Sequence, residues 1–334
     1  MEYQGFAGIT GHEDLIGHLK NSIRSGKVSQ TYLFTGEPGS GRKTLATLFA
    51  MALNCEEGGT EPCMRCRSCT KALSGNHPDI IRVTHVKPRT LSVEEIRSQV
   101  VNTAEILPYE SRYKIYLIPD AELMGEAAQN ALLKTLEDPP EYAVFLLIAT
   151  SPEALLPTIR SRSVSLAVRA VRDDLVEQYL MNWMHVPDYE AKVVAALAQG
   201  NIGRAREAVR GETFSRISEE AIGLIKRVHD MRSFEFVEVI RRLKDERENI
   251  DVYLDLFLLW FRDVLLFKAT RDLDMMIFKN ELRAVQAQAS GSSYEGIQEV
   301  IDAIERAKER LRANVNFDLV MELLFLTIRD NIRD

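Results

Sequence analysis

The sequence predicts an α/β domain on a parallel sheet over residues 1–166, interrupted by a cysteine knot, and then two helical regions. Three observations carry this. Short, near-continuous apolar runs alternate with helical patterns through the first half, as in a sheet covered on both faces. A glycine-rich turn, Gly36 to Gly41, follows the first of these runs directly. Beyond about residue 166 the strand signals fade and apolar residues recur at helical spacing.

Taken in order, Tyr32-Leu33-Phe34-Thr35 reads as a buried strand entering the glycine turn. Lys43 to Leu53 reads as a helix with Leu45, Leu48, Phe49, Ala52 and Leu53 on its apolar side. Ile80-Ile81-Arg82-Val83 is a second strand, and Val93 opens a helix for which Ser92 is the candidate N-cap. Lys114 to Ile118 is a third strand. Ala127 to Leu136 is a helix stopped by Pro139-Pro140, and Val144 to Thr150 is a fourth strand. Residues 170–210 read as a small helical bundle, with Gly200-Asn201-Ile202-Gly203 as a loop before its last helix. From about 213 onward the expected core stripes are Phe234, Val237, Ile240 and Leu243, then Tyr253, Leu256, Phe257, Trp260, Phe261 and Val264, then Leu319, Leu323, Leu326 and the Ile328 side. Ser290-Gly291-Ser292-Ser293 marks a loop.

The net charge of -7 argues against a chain that grips DNA through its overall field and favours protein partners. No apolar run approaches the ~20 residues of a membrane helix. Met1 to Phe6 has no basic start and no apolar signal core, so a cytosolic chain is expected.

All four cysteines, Cys55, Cys63, Cys66 and Cys69, fall within one short segment, residues 55–69. The Cys-x2-Cys-x2-Cys run lets sulfurs converge from a single turn, and four thiolates fill the tetrahedral shell of Zn2+ with no position left for water. A structural zinc is therefore expected. The pattern's other readings are a disulfide pair, unrelated thiols or an Fe–S cluster.

The turn Gly36-Glu37-Pro38-Gly39-Ser40-Gly41-Arg42-Lys43-Thr44 is placed as a Walker A loop would be. A working loop needs Gly, four residues, Gly, then Lys and a hydroxyl residue: backbone N–H groups cradle phosphate, Lys reaches the β/γ-phosphates and the hydroxyl holds Mg2+. Gly36 and Gly41 have that spacing, but Arg42 stands at the Lys position and Lys43 at the hydroxyl position. Shifting by one aligns Lys43 and Thr44 but puts Glu37 and Arg42 at the glycine positions. The third strand, which should end in the Asp that binds the metal through water, ends in Pro119 with Asp120 one place late. Two parts of one apparatus are lost together, so an inert relic is expected. The other readings are residual nucleotide binding through Arg42 and a competent ATPase site.

These features resemble the AAA+ clamp-loader family of bacterial DNA polymerase III. The resemblance is carried by Gly11-His12-Glu13, Tyr32 to Gly36, the cysteine knot after the first helix, Gly75-Asn76-His77-Pro78-Asp79 and Val93 to Arg97. It continues in Asn130-Ala131-Leu132-Leu133-Lys134-Thr135-Leu136-Glu137-Asp138-Pro139-Pro140, Ile159 to Ser163, and Asn314-Val315-Asn316 with Glu322-Leu323-Leu324. The family's ATP-hydrolysing gamma/tau branch keeps both Walker signatures and usually carries further C-terminal domains. This chain has lost both signatures and ends after the third region, so it sorts with the non-catalytic branch. The gamma/tau type is the alternative.

The resemblance implies three domains: an AAA+ domain over 1–166 with its zinc module at 55–69, a helical lid over 167–211, and a helical collar over 212–334. It implies gamma/tau and delta subunits as partners in a hetero-pentamer, and contact with the sliding clamp and primer–template DNA through the assembled complex. It implies structural Zn2+ as the cofactor and no ATP turnover. It also gives Ser161 and Arg162 a role, Arg162 as an arginine finger for a neighbouring ATPase. The family usually has Cys at the position of Ser163. His77 is expected in a loop hydrogen bond, since four thiols already complete the metal shell. A zinc-dependent nucleic-acid module would need a basic knot. Arg65, Arg67 and Lys71 beside Glu56, Glu57 and Glu61 make it charge-mixed.

Overall fold

The structure is a computed structural model that describes residues 5–210 and 212–333. The chain divides into two compact units, one of residues 1–175 with 201–203, the other of residues 176–200 with 204–334.

The first unit is a five-stranded parallel sheet with helices on both faces. Its strands are β1 (Thr31–Thr35), β2 (Ile80–Arg82), β3 (Lys114–Ile118), β4 (Ala143–Ala149) and β5 (Val164–Ala167), in the order β2-β3-β4-β1-β5. Register runs from Thr31 opposite Phe145 to Thr35 opposite Ala149, and from Lys114 opposite Ala143 to Ile118 opposite Leu147. β1, β3 and β4 are buried along their whole length, which is why they are legible as unbroken apolar runs.

Because alternate side chains leave a strand on opposite faces, each strand feeds two cores. Tyr32, Phe34, Ile115, Leu117, Val144, Leu146 and Ile148 pack with α1 (Glu13–Ser25), α2 (Arg42–Leu53) and Cys69 of α3 (Arg67–Leu73). Leu33, Tyr116, Ile118, Phe145 and Leu147 pack on the other face with α4, a helix over residues 93–104, and α5 (Glu126–Glu137). Ser92 caps α4 through a reciprocal box with Glu95, as its sequence position predicts. The middle turn of α4, Arg97–Val101, is a π turn that the sequence reading does not resolve. That reading also leaves α1 and β5 unassigned. In β5 only Leu166 is buried, so it lacks the apolar run that marks its neighbours.

Before the second unit's core comes a short helix, α6 (Pro157–Arg160). The remaining helices are α7 (Asp173–Met184), α8 (Asp188–Ala198), α9 (Ile202–Ala208), α10 (Glu212–Ile225), α11 (Ser233–Asp245), α12 (Ile250–Thr270), α13 (Leu282–Gly291), α14 (Tyr294–Arg312) and α15 (Phe317–Asn331). The α12 stripe is buried as expected, with Trp260 donating to the Gln288 side chain at 2.9 Å.

Four expectations need correction. Ile202 and Gly203 open α9 rather than lying in a loop, and Ser290-Gly291 completes α13. In α11 the buried face is Phe236, Val239, Ile240 and Leu243, while Phe234 and Val237 are 60% and 67% exposed. In α15 the core residues are Phe317, Val320, Met321, Leu324, Phe325 and Ile328, and Leu319 and Leu323 face outward. Both helices are apolar on more than one side, so periodicity alone selects the wrong stripe. Among the described residues no helix is long and apolar enough to cross a membrane.

Candidate functional site

The glycine loop leaves the C-terminal end of β1, the position where open α/β sheets bind ligands. Gly36 has φ 155°, and a Cβ there would lie 2.4 Å from the Val168 carbonyl oxygen, so only glycine fits. Its N–H donates to the Thr150 carbonyl at 3.2 Å, which ties the loop to the end of β4. Gly39 and Gly41 also have positive φ, and α2 starts at Arg42. The backbone of a phosphate loop is thus present.

Its charged side chains are bonded within the chain, Arg42 buried and Lys43 exposed. Arg42 is only 5% exposed and donates from Nη1 to the Gly36 carbonyl at 2.8 Å, with Nη2 3.9 Å from Glu122. Lys43 donates from Nζ to Asp120 Oδ2 at 2.8 Å. That ion pair joins the start of α2 to the end of β3, the two elements between which a working site of this kind holds its divalent metal. Thr44 is half-buried one residue further along α2. Asp120 follows Pro119 with φ 52°, a left-handed conformation uncommon for a non-glycine residue. The outer side of the loop is covered within the same unit. The Gly203 N–H donates to the Gly39 carbonyl at 2.9 Å, and Asn201 Nδ2 donates to the Pro38 carbonyl at 2.9 Å.

The four cysteines converge. All are free thiols, and their sulfurs lie within 4.8 Å of one another. Cys63 and Cys69 sulfurs are 4.0 Å apart, near the ~3.8 Å edge of a tetrahedron with Zn–S bonds of about 2.3 Å. Backbone N–H groups point at three of them: Cys63 N–H at Cys55 Sγ (3.5 Å), Cys66 N–H at Cys63 Sγ (3.2 Å) and Cys69 N–H at Cys66 Sγ (3.4 Å). Such donors favour thiolate. Burial pushes the Cys63 and Cys69 thiols up. At Cys66 the upward push of burial is outweighed by donors led by the Cys69 N–H, which bring it down to about 7. An all-sulfur set of this spacing fits a soft or borderline metal ion, and the four residues can hold one.

The module is secured to the rest of the domain. Glu61 accepts the Phe6 N–H at 3.0 Å and pairs with Lys20 of α1, and Cys69 lies in the sheet's core. His77 is buried in a hydrogen-bonded loop, as expected, with Ser68 and Asp79 as partners.

Arg162 lies in the turn between α6 and β5. Its Nη1 donates to the Thr158 carbonyl at 3.0 Å and its Nη2 pairs with Glu137 of α5 at 2.9 Å. The Ser161 hydroxyl donates to the same Thr158 carbonyl at 3.1 Å. Arg162 is exposed, whereas Arg160 is half-buried and its Nε is buried without a hydrogen-bond partner. The loop, the cysteine centre and Arg162 remain separate places on one unit. Sequence reasoning missed Glu137, Glu122 and the Asn201–Gly203 cover as parts of them. Glu137 closes the Asn130–Pro140 string, which was the available signal.

A parallel sheet in this order, with a glycine loop after β1 entering a helix and a mostly helical C-terminal region, defines a P-loop domain of the AAA+ class. The family described as DNA polymerase III, delta subunit matches residues 11–172, and that described as DNA polymerase III, delta subunit, C terminal matches residues 225–330. The delta' subunit of DNA polymerase III from Bacillus subtilis (strain 168) is similar at 32% identity over 316 residues, 93% of this chain and 94% of its own length. The tau/gamma subunit from Haemophilus influenzae is 35% identical over 208 residues, 61% of this chain and 30% of its own. A solved gamma subunit-related protein from Thermotoga maritima superposes with a TM-score of 0.44 at 19% identity, over 95% of this chain and 99% of that one. The chain belongs to the delta-prime family of DNA polymerase III clamp-loader subunits.

Proposed function

We propose that this chain is the non-catalytic, stator-like subunit of the loader, working in the cytoplasm without ATP turnover of its own. The observation that carries the reading is the self-filled phosphate loop: Arg42 on the Gly36 carbonyl and Lys43 on Asp120. In this reading residues 1–166, 167–211 and 212–334 act as AAA+ domain, lid and collar. The collar joins gamma/tau and delta subunits in a hetero-pentamer that meets the sliding clamp and primer–template DNA as a whole. Cys55, Cys63, Cys66 and Cys69 hold a structural Zn2+, which cross-links the ends of the inserted segment.

Arg162, held by the Thr158 carbonyl and Glu137 and next to Ser161, serves a neighbouring ATPase as a finger. Its exposure supports this, as does a guanidinium with donors to spare beyond the two it uses.

The test uses the assembled loader. Arg162→Ala is expected to lower DNA- and clamp-stimulated ATPase by at least tenfold with assembly intact, and Arg162→Lys to rescue poorly. Arg169→Ala, at an exposed position, is a better charge control than the half-buried Arg160. Equal losses in the Ala variants of 162 and 169 would mean general electrostatics, and a normal rate for Arg162→Ala would remove the finger. Sustained hydrolysis by the isolated, contaminant-free chain would favour the gamma/tau type.

A further inference from the structure

The cysteine segment is bonded, through buried polar groups, to a loop on the other side of α3 that has no ligand to offer it. Ser68 lies between Cys66 and Cys69 and is buried, and its Oγ is 3.0 Å from His77 Nε2. His77 Nδ1 accepts the Asp79 N–H at 3.0 Å, so the neutral ring carries its proton on Nε2 and donates toward Ser68, with Ser111 Oγ also at 3.3 Å. Asp79, fully buried, gathers three consecutive N–H groups: Tyr109 (2.6 Å), Glu110 (2.9 Å) and Ser111 (3.0 Å). Lys71, also on α3, donates to both oxygens of Glu110 at 2.6 Å. Asn54, the neighbour of Cys55, exchanges two hydrogen bonds with the Tyr113 backbone.

The loop's other end is held as firmly. The buried Lys114 ammonium donates to the carbonyls of Thr103 (2.9 Å) and Ile106 (3.0 Å), and the Tyr142 hydroxyl donates to that of Glu105 (2.7 Å). Two buried charges and a buried imidazole are thus committed to residues 105–113, yet the loop's large side chains are not part of the core. Leu107 is 68% exposed and Tyr109 83%. Burying an ionised carboxylate is costly unless it is fully bonded. Here it fixes the backbone beneath a surface-facing apolar pair.

We propose that His77 and Asp79 are positioning residues that couple the cysteine centre to the loop over residues 105–113, so that metal occupancy sets the order of that loop. The inference rests on the reading that the four cysteines hold Zn2+. When the metal fixes α3, Ser68 and Lys71 are fixed with it, and His77 and Glu110 are held from that side. Without it α3 keeps its helical bonds and the packing of Cys69 but loses the cross-link to Cys55 and Cys63, and the relay loses its fixed end.

The experiment is amide exchange on the full-length chain, zinc-loaded and chelated, with zinc content measured on the same samples. Chelation should speed exchange at Tyr109, Glu110 and Ser111 by about tenfold or more, as expected for losing hydrogen bonds to a charged group. The amides of β4 should be unchanged. In the zinc-loaded chain His77→Asn, which keeps an acceptor for the Asp79 N–H but loses the donor to Ser68, should do the same. His77→Gln, whose amide reaches the Nε2 position, should restore most of the protection. Ser68→Ala is the milder variant should His77→Asn fold poorly, and should raise exchange a few-fold.

Identical rates at 109–111 in both metal states would overturn the proposal, as would β4 accelerating in step, or unchanged rates in His77→Asn. A chain that neither carries nor takes up zinc sinks the metal assignment and the metal-linked half of the proposal with it, whereas a zinc-loaded chain with unchanged rates sinks the coupling and leaves the metal assignment standing.

Discussion

Asp263 shows how one buried side chain leaves a signature in solution. A single oxygen, Oδ2, accepts the N–H groups of Ile277 and Phe278, both at 2.8 Å, and fastens the segment after α12. Burial raises its pKa, and the two donors offset this only in part. A carboxyl whose folded pKa lies above its unfolded value binds its proton first in the native state. Between the two values stability therefore falls as pH rises. Asp263→Asn keeps an acceptor for both N–H groups without the charge, so it should flatten that acid-side slope in urea titrations taken at several pH values. Asp263→Ala orphans two donors, one buried and one partly buried, and should cost roughly 2–4 kcal/mol at neutral pH. At the cysteine centre, Cys66→Ser should reduce zinc content well below one equivalent while far-UV circular dichroism stays near wild type, because the sheet's two cores are built mainly from strand and helix residues outside the insertion. A variant holding full zinc would show that Cys66 is not a ligand the metal requires.

Among the elements, the glycine loop retains the demands of its ancestry although its own side chains fill it. Gly36→Ala drives a Cβ to 2.4 Å from the Val168 carbonyl, and Gly203→Ala drives one to 2.5 Å from Gly39 backbone atoms. Neither neighbour is a flexible side-chain tip. Each variant should lose about 1–3 kcal/mol in chemical denaturation, the cost of overpacking or a strained backbone. Wild-type stability in Gly203→Ala would mean that the Asn201–Gly203 cover is loose. The same elements show what a sequence discloses. β1, β3 and β4 are legible because both faces of each are apolar, and Ser92 because a cap is a local bond. β5 is not, since its place at the sheet edge is earned by pairing with β1 rather than by its own composition. The cysteine centre is legible from spacing alone. The partners of Arg162 and Lys43 are not, because Glu137 and Asp120 reach them only through tertiary folding, and neither is the contact of His77 with Ser111.

For the whole molecule, the sharpest consequence is thermal. A ligand that binds only the native state at a hundred times its Kd adds about 2.7 kcal/mol to stability, a shift of several degrees in Tm. Millimolar Mg-ATP should leave the Tm of the isolated chain unchanged, and a rise of several degrees would overturn the reading of the loop as filled. The Lys43–Asp120 pair has a further implication. Its cation is covalently attached to the polypeptide, so its local concentration is set by chain geometry and cannot be diluted, chelated or exchanged. If the loop is filled as proposed, the junction between α2 and β3 should be insensitive to free Mg2+ and to the energy charge of the cell. On the proposed reading without ATP turnover, any rearrangement of this chain is driven through its contacts with other molecules, because no internal clock sets one off.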